Sequence, residues 1–321
     1  MLSKSAAISK LNELGATSKP FSFYSDFLGE RWCIETNNAT SSFQLHILNR
    51  ISENPLTVNN QKVTFVKDPI PFEVFRAAFD QVVHEINLGN SFLTNLTFRT
   101  PIKTNLSLEE IFQISKAKYK LLVPNKFVVF SPESFIQIRE NRIHSFPMKG
   151  TIDANIPSAE KLILNDPKEK AEHITIVDLI RNDLSRVADK VEVPRFRYID
   201  TLETNDKNLL QVSSEIRGEM HKNWRANIGT ILSKLAPAGS ISGAPKPETL
   251  QIIQRVENQD RGFYTGICGH FDGDSLDTGV MIRFIKKEGD RLTFCSGGGI
   301  TSFSEVEKEY QEMVDKVYLA V

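Results

Sequence analysis

Apolar positions along this chain change period several times, and each change predicts an element. Short apolar runs at residues 21–24, 31–35 and 62–66, separated by Asn-rich and Ser-rich turns, predict strands. From Pro71 the spacing becomes helical, with Phe72, Phe75, Phe79 and Val82-Val83 on one face until Gly89-Asn90 stops it. Strand patterns follow at residues 92–98, 127–130, 135–139 and 142–146, the last two joined by a Glu140-Asn141 turn. Ile176, Ile180 and Leu184 predict an amphipathic helix, and Val306, Tyr310, Met313 and Val317 predict another over residues 304–321. Residues 277–286 and 291–295 predict a hairpin around Glu288-Gly289-Asp290. The polar stretch 151–171, with Pro157 and Pro167, predicts a mobile loop leading into a helix, a loop of the kind that covers active sites.

Hairpins and helices alternate too irregularly for repeated βαβ units, so the pattern predicts an α+β fold. It divides into a small N-terminal β portion, residues 1–71, packed on a core of residues 72–321. At 321 residues, 40% hydrophobic and 25% charged, the chain has the composition of an ordinary globular protein. A net charge of −1, with no basic cluster interleaved with aromatics, argues against nucleic acid and for a small-molecule ligand. Cys33, Cys268 and Cys295 share no CxxC spacing and read as small buried residues. No apolar run reaches membrane length and the first ten residues lack a signal-peptide pattern, so the expectation is a cytoplasmic protein with no membrane partner.

Candidate chemistry gathers at a few places. In Pro147-Met148-Lys149-Gly150-Thr151 the lysine is either a solvated turn residue or a nucleophile, which must lose its proton and does so when burial or a nearby cation disfavours the ammonium. Pairing centred on Glu140-Asn141 sets Glu133 opposite Met148, placing an acid beside Lys149, although a one-residue slip would undo this. Glu172 reads as a carboxylate satisfied by its helix dipole or as a metal ligand, and His173 as a helix-start residue. Glu305, Glu309 and Glu312 repel along one helical face. Lys308 and Lys316 would offset this, or a hard cation such as Mg²⁺ would. Arg283, beside residues 294–296 and just before Gly297-Gly298-Gly299, could grip a carboxylate, while the glycines could equally form a flexible turn. The segment from Gly239 to Lys246 lacks Walker spacing. Around Cys268, Gly266-Ile267-Cys268-Gly269 is one residue short of a glutaminase nucleophile elbow, so Cys268 reads as structural.

Taken in order, Asn95-Leu96-Thr97, Ser131-Pro132-Glu133, Pro147 to Thr151, Glu172 to Asp183, Gly239 to Lys246, Tyr264 to Gly269, Asp277-Thr278 with Arg283, Gly297 to Ile300, and Glu309 to Glu312 resemble the chorismate-utilising enzymes. The match spans roughly residues 72–321 and is nearest to component I of the aminodeoxychorismate synthases, which carry lysine at the position of Lys149 where other members carry alanine. The resemblance implies antiparallel sheets packed as a sandwich with helices outside. It implies Mg²⁺ held by Glu172, Glu309 and Glu312, and substrate bound by Tyr264, Arg283, Gly297, Gly298, Gly299, Ser242 and Thr151. Lys149 would attack chorismate at ring carbon 2 while Glu133 protonates the leaving 4-hydroxyl. Ammonia from a separate glutaminase subunit would then give 4-amino-4-deoxychorismate, on the way to p-aminobenzoate and folate. Two departures stand out. Leu210-Gln211-Val212-Ser213 occupies the place of His-Leu-Val-Ser, which sets Leu210 at the histidine and leaves Gln211 as its substitute, and the N-terminal portion is too short for a tryptophan site. The alternatives are anthranilate synthase component I and an inactive chorismate-binding protein.

Overall fold

The computed structural model describes residues 1–36, 41–48, 62–202 and 208–320. Residues 37–40 and 49–61 of the predicted N-terminal β portion, and Val321 at the end of the helix predicted over residues 304–321, lie outside the described residues. Two antiparallel sheets carry the fold. In the first, of ten strands, Phe21–Ser25, Ile267–Phe271, Leu276–Val280, Ser134–Arg139, Arg142–Ser145, Leu209–Glu219 and Met148–Asp153 lie side by side in that order. The second, of eight strands, places Leu93–Thr104, Arg291–Ile300, Phe284–Glu288, Phe127–Ser131 and Tyr119–Val123 in that order.

An apolar layer joins the two sheets: Tyr24 and Cys268 of the first meet Leu121, Phe127, Phe284 and Cys295 of the second. The outer face of the first sheet is covered by helices Lys4–Ala16 and Ile228–Leu235, through Leu11, Leu14, Ile231 and Leu232. Helices Phe72–Asn87, Lys246–Glu257 and Val306–Asp315 cover the outer face of the second through Phe75, Phe79, Ile252 and Met313. This is the α+β sandwich with outer helices that the sequence implied. Strands from residues 1–71 belong to both sheets: Phe21–Ser25 pairs with Ile267–Phe271, and Phe65–Lys67 with Leu93–Thr104.

Three predicted details change. Residues 277–286 are not one strand, because Leu276–Val280 belongs to the first sheet and Phe284–Glu288 to the second. The chain crosses between them at Met281–Arg283, where Arg283 takes φ 53. An apolar run broken only by Arg283 hides such a crossing, since Val280-Met281 before it and Phe284-Ile285 after it are all buried. Residues 151–171 are not a loop either: they finish the strand at Asp153, form helix Ala159–Asn165 and open helix Pro167–Ser185. Pro167 suits the first helical turn, where no N–H is needed, and the Asp166 side chain accepts a hydrogen bond from the Glu169 N–H at 2.9 Å. Finally, the hairpin around Glu140-Asn141 has the expected register, Ile143 opposite Ile138, but its pairing stops at His144 opposite Gln137. Met148 pairs with Ser213 instead, and the Glu133 carbonyl accepts from Val280 N–H at 3.0 Å. Next along the ladder, the Phe135 carbonyl accepts from the Ser145 hydroxyl at 3.0 Å, so the pairing does not run on to Met148.

Candidate active site

A cavity of about 540 Å³ opens where the Met148–Asp153 strand, the Pro167–Ser185 helix and the glycine end of Arg291–Ile300 converge, and both Lys149 and Glu133 line it. The expected pairing across one hairpin is wrong, yet the two groups still share a site. Packing between separate elements brings them together.

Lys149 is aimed by a bulge between Met148 and Thr151. Gly150 takes φ 87 there, and a Cβ on it would lie 2.7 Å from Glu169 Oε2, so the position suits glycine alone. Lys149 Nζ stands 2.6 Å from Glu172 Oε2. Burial by itself would push this ammonium down, but Glu172, with Glu312 and Glu169 behind it, outweighs burial and holds it above the usual lysine range. Lys149 is therefore charged in this arrangement, contrary to the expectation of a free amine.

Glu172 is the sixth residue of its helix, beyond the first turn in which the helix dipole acts, so the dipole does not account for it. It is 7% exposed, and its Oε1 has no hydrogen-bond partner. Glu169 Oε2 is likewise buried and unpartnered. Across from them on helix Val306–Asp315, Glu309 is buried and Glu312 lines the cavity with 47% of its side chain exposed, whereas Glu305 stays in solvent with Lys308. Burial holds Glu309 above the usual carboxylate range despite a hydrogen bond from Ser304. Burial would raise Glu312 too, but Lys316 at 2.6 Å, helped by Lys149 and Lys168, brings it below that range. Lys168, absent from the sequence reading, stands 3.9 Å from Glu172 Oε1 and 3.8 Å from Glu309 Oε1. Among the described residues no three acidic, His or Cys side chains close on one point. Lysine ammoniums occupy the space between the carboxylates.

Glu133 sits on the cavity wall, where burial raises its pKa against the opposing effects of a Ser240 hydrogen bond and the Arg283 and Lys316 charges. Ser240 Oγ donates to Glu133 Oε1. Gly297–Gly299 are strand rather than turn, opposite Thr97, Leu96 and Asn95. Lys316 Nζ donates to the Gly297 carbonyl at 2.9 Å, while Thr97 N–H donates away from this pair, to Glu257 at 2.8 Å. Gly297, and by alternation Gly299, thus turn their backbone groups outward. The neighbouring strand Phe284–Glu288 reaches only to Cys295, so these N–H groups face the cavity. A methyl on Gly298 would lie 3.6 Å from Glu309 Oε2, 3.6 Å from Lys316 Nζ and 3.8 Å from Glu312 Oε1, so the missing side chain leaves room among these charged groups.

Of the remaining expected residues, Tyr264, Arg283 and Thr151 line the cavity. Ser242 does not: it is fully buried and donates to the Ala238 carbonyl at 2.8 Å. Ser240, two residues earlier, faces the site in its place because one helical turn, Gly239–Ser242, points the two hydroxyls apart. At the departure from the expected motif, Gln211 lines the cavity and Leu210 does not. His173 is interior to its helix rather than at its start, and its Nε2 lies 2.7 Å from Ser214 Oγ. Burial, with Arg197 close by, pushes it down to about 4, so it is neutral. Cys268 is wholly buried in the layer between the sheets, where burial pushes its thiol up to about 12. Lys168 falls within the predicted loop and Ser240 within the segment from Gly239 to Lys246, and nothing in their spacing marks a role.

Known proteins resemble the chain in sequence and in fold. Residues 18–320 match the family described as chorismate binding enzyme. An uncharacterised PabA-like protein of Pasteurella multocida is 48% identical over the full length of both chains. Aminodeoxychorismate synthase component 1 of Klebsiella aerogenes is 35% identical, over 76% of this chain and 56% of that one. The menaquinone-specific isochorismate synthase of Escherichia coli superposes with a TM-score of 0.77 at 16% identity, covering 98% of this chain and 81% of that one, which establishes the shared fold. Among the described residues no helix is long and apolar enough to cross a membrane.

Proposed function

The chain belongs to the chorismate-binding enzymes, and on that premise we propose that it is an aminodeoxychorismate synthase component I, converting chorismate and ammonia to 4-amino-4-deoxychorismate. One observation carries the reading: Lys149 and a Glu133 that keeps its proton to unusually high pH line the same cavity. A primary amine and a carboxylic acid on one substrate are what a covalent amination at a ring alcohol needs. The lysine at this position also sets the aminodeoxychorismate enzymes apart in the motif.

In the proposed reaction Arg283 and the outward N–H groups of Gly297 and Gly299 bind substrate carboxylate, with the Tyr264 hydroxyl, kept neutral by burial, as a further donor. Lys149 must leave Glu172 and lose its proton to water before it can attack. Its amine then bonds to ring carbon 2, the two ring double bonds each shift one position round the ring away from that carbon, so that the second ends at carbon 4, and the carbon–oxygen bond there breaks. Glu133 gives its proton to the departing hydroxyl, and Ser240 holds that carboxyl in place. Ammonia adds at carbon 4 and gives up a proton, both double bonds return to their starting positions, and the Lys149 amine is expelled and takes up a proton.

A hard divalent cation, Mg²⁺ by its ligand chemistry, fits this site. The donors are all carboxylate oxygens, Glu172 Oε1 and Glu169 Oε2 are buried without partners, and the gap over Gly298 lies between Glu309 and Glu312. Glu172, Glu309 and Glu312 would hold it, with Glu169 as an addition to that set. When bound it would neutralise a substrate carboxylate and draw electron density from the ring. Cys268 is too deeply buried to hydrolyse glutamine, so the ammonia would come from a separate glutaminase subunit.

The test is product identification by mass after incubating the protein with chorismate, Mg²⁺ and ammonium. Aminodeoxychorismate, which retains the enolpyruvyl group, supports the reading. Anthranilate as the sole product, or chorismate binding without turnover, overturns it.

A further inference from the structure

The two oxygens of Glu172 face two different lysines. Oε2 is in close contact with Lys149 at 2.6 Å, whereas Oε1 is buried, has no hydrogen-bond partner and lies 3.9 Å from Lys168 Nζ. The same ammonium is 3.8 Å from Oε1 of Glu309, a buried carboxylate on another helix. A charge-assisted N–H···O bond closes to roughly 2.7–2.9 Å. Lys168 thus stands within ion-pair range of both carboxylates and is bonded to neither. Its attachment differs from that of Lys149 as well. Lys149 projects from a strand fixed by a bulge, while Lys168 is the second residue of a helix and its side chain is 36% exposed. Rotation about its own side-chain bonds can carry the ammonium into water without disturbing the helix.

Resting on the reading of this cluster as a divalent-cation site, we propose that Lys168 is an internal counter-ion that competes with the cation. Without the cation, its ammonium offsets the repulsion between Glu172 and Glu309, which would otherwise face each other as buried charges. When the cation arrives, both carboxylates are needed as ligands and Lys168 withdraws to solvent. Cation binding is then an exchange of one positive charge for another, and its affinity is set partly by how well Lys168 holds its place. A purely structural salt bridge would instead close on one partner and stabilise the bound and free states alike.

The experiment measures Mn²⁺ binding to the intact chain, without chorismate, by the electron-paramagnetic-resonance signal of free Mn²⁺. Lys168→Met removes the charge and keeps an apolar stem. Its Kd for Mn²⁺ should fall roughly five- to tenfold, the effect of removing two partly exposed ion pairs from the competing state. Lys170→Met removes the same charge from an exposed position on the same helix and should leave the Kd nearly unchanged. Equal tightening in both variants would reduce the effect to net charge and overturn the proposal. So would unchanged or weaker binding in Lys168→Met, which would leave the cation site itself intact. If neither the parent protein nor Lys168→Met binds Mn²⁺, the competition and the cation site fall together, while the product assay still decides the activity.

Discussion

Lys149 Nζ and Glu172 Oε2, 23 positions apart in the chain, stand 2.6 Å from each other, so the candidate nucleophile is paired with a candidate metal ligand. The pairing keeps Lys149 charged, and anything that engages Glu172 elsewhere also frees the amine. Replacing Lys149 by alanine should lower aminodeoxychorismate formation by at least about a hundredfold, the lower bound for a positioned catalytic group. Chorismate binding, read by fluorescence or calorimetry, should persist. Unchanged turnover would remove covalent catalysis from the account.

Glu133→Gln should lower turnover by about 10²–10⁴-fold, the range for loss of a general acid. Its effect on stability has a definite sign. Burial raises the folded pKa of Glu133 above its unfolded value, so its contribution is fully present below the unfolded pKa and is lost as pH rises through the folded pKa. Glutamine carries no such penalty. Thermal melts should show the variant more stable than the parent near neutral pH, with the gap closing below about pH 4.3, the ordinary glutamate value. A gap that widens in acid would reverse this assignment.

Gly150→Ala puts a methyl against Glu169 at a position with φ 87. Urea unfolding should show a loss of about 1–3 kcal/mol, as for a non-glycine residue forced into this region. Turnover should fall as well, because the bulge that aims Lys149 is the part strained. Full activity with lowered stability would separate the bulge from the chemistry.

Chelation of divalent ions should abolish turnover, and added Mg²⁺ should restore it. Glu312→Gln should require more Mg²⁺ for half-maximal rate. An identical titration curve would return that acidic face to solvent.

Gln211 lines the cavity and Leu210 does not, so alanine at 211 should raise KM for chorismate, while alanine at 210 should leave it nearly unchanged. The opposite result would put the substrate on the other face of this strand.

Much of the fold was legible because its signals are local. The strand and helix periods, the Glu140-Asn141 turn with its register, and the helix after Pro71 each follow from residues close in sequence. The errors share a cause as well. Pro167 reads as part of a loop and is a helix start, and the crossing at Met281–Arg283 is hidden inside a run broken only by Arg283. Where the hairpin ladder stops at His144, the partner of Met148 is Ser213 rather than Glu133, more than sixty residues on in the chain.

By itself, then, the sequence determined the α+β class, the family motifs, and the identity of Lys149, Glu133 and the acidic residues as the groups with chemistry to offer. Only the tertiary structure decided that Lys149 is charged and paired, that Lys168 stands between Glu172 and Glu309, and that Ser240 rather than Ser242 meets Glu133. Residue type and spacing fix what a side chain can do and which face of its own element it occupies. Which charges meet depends on how separate strands and helices pack, and no local period records that.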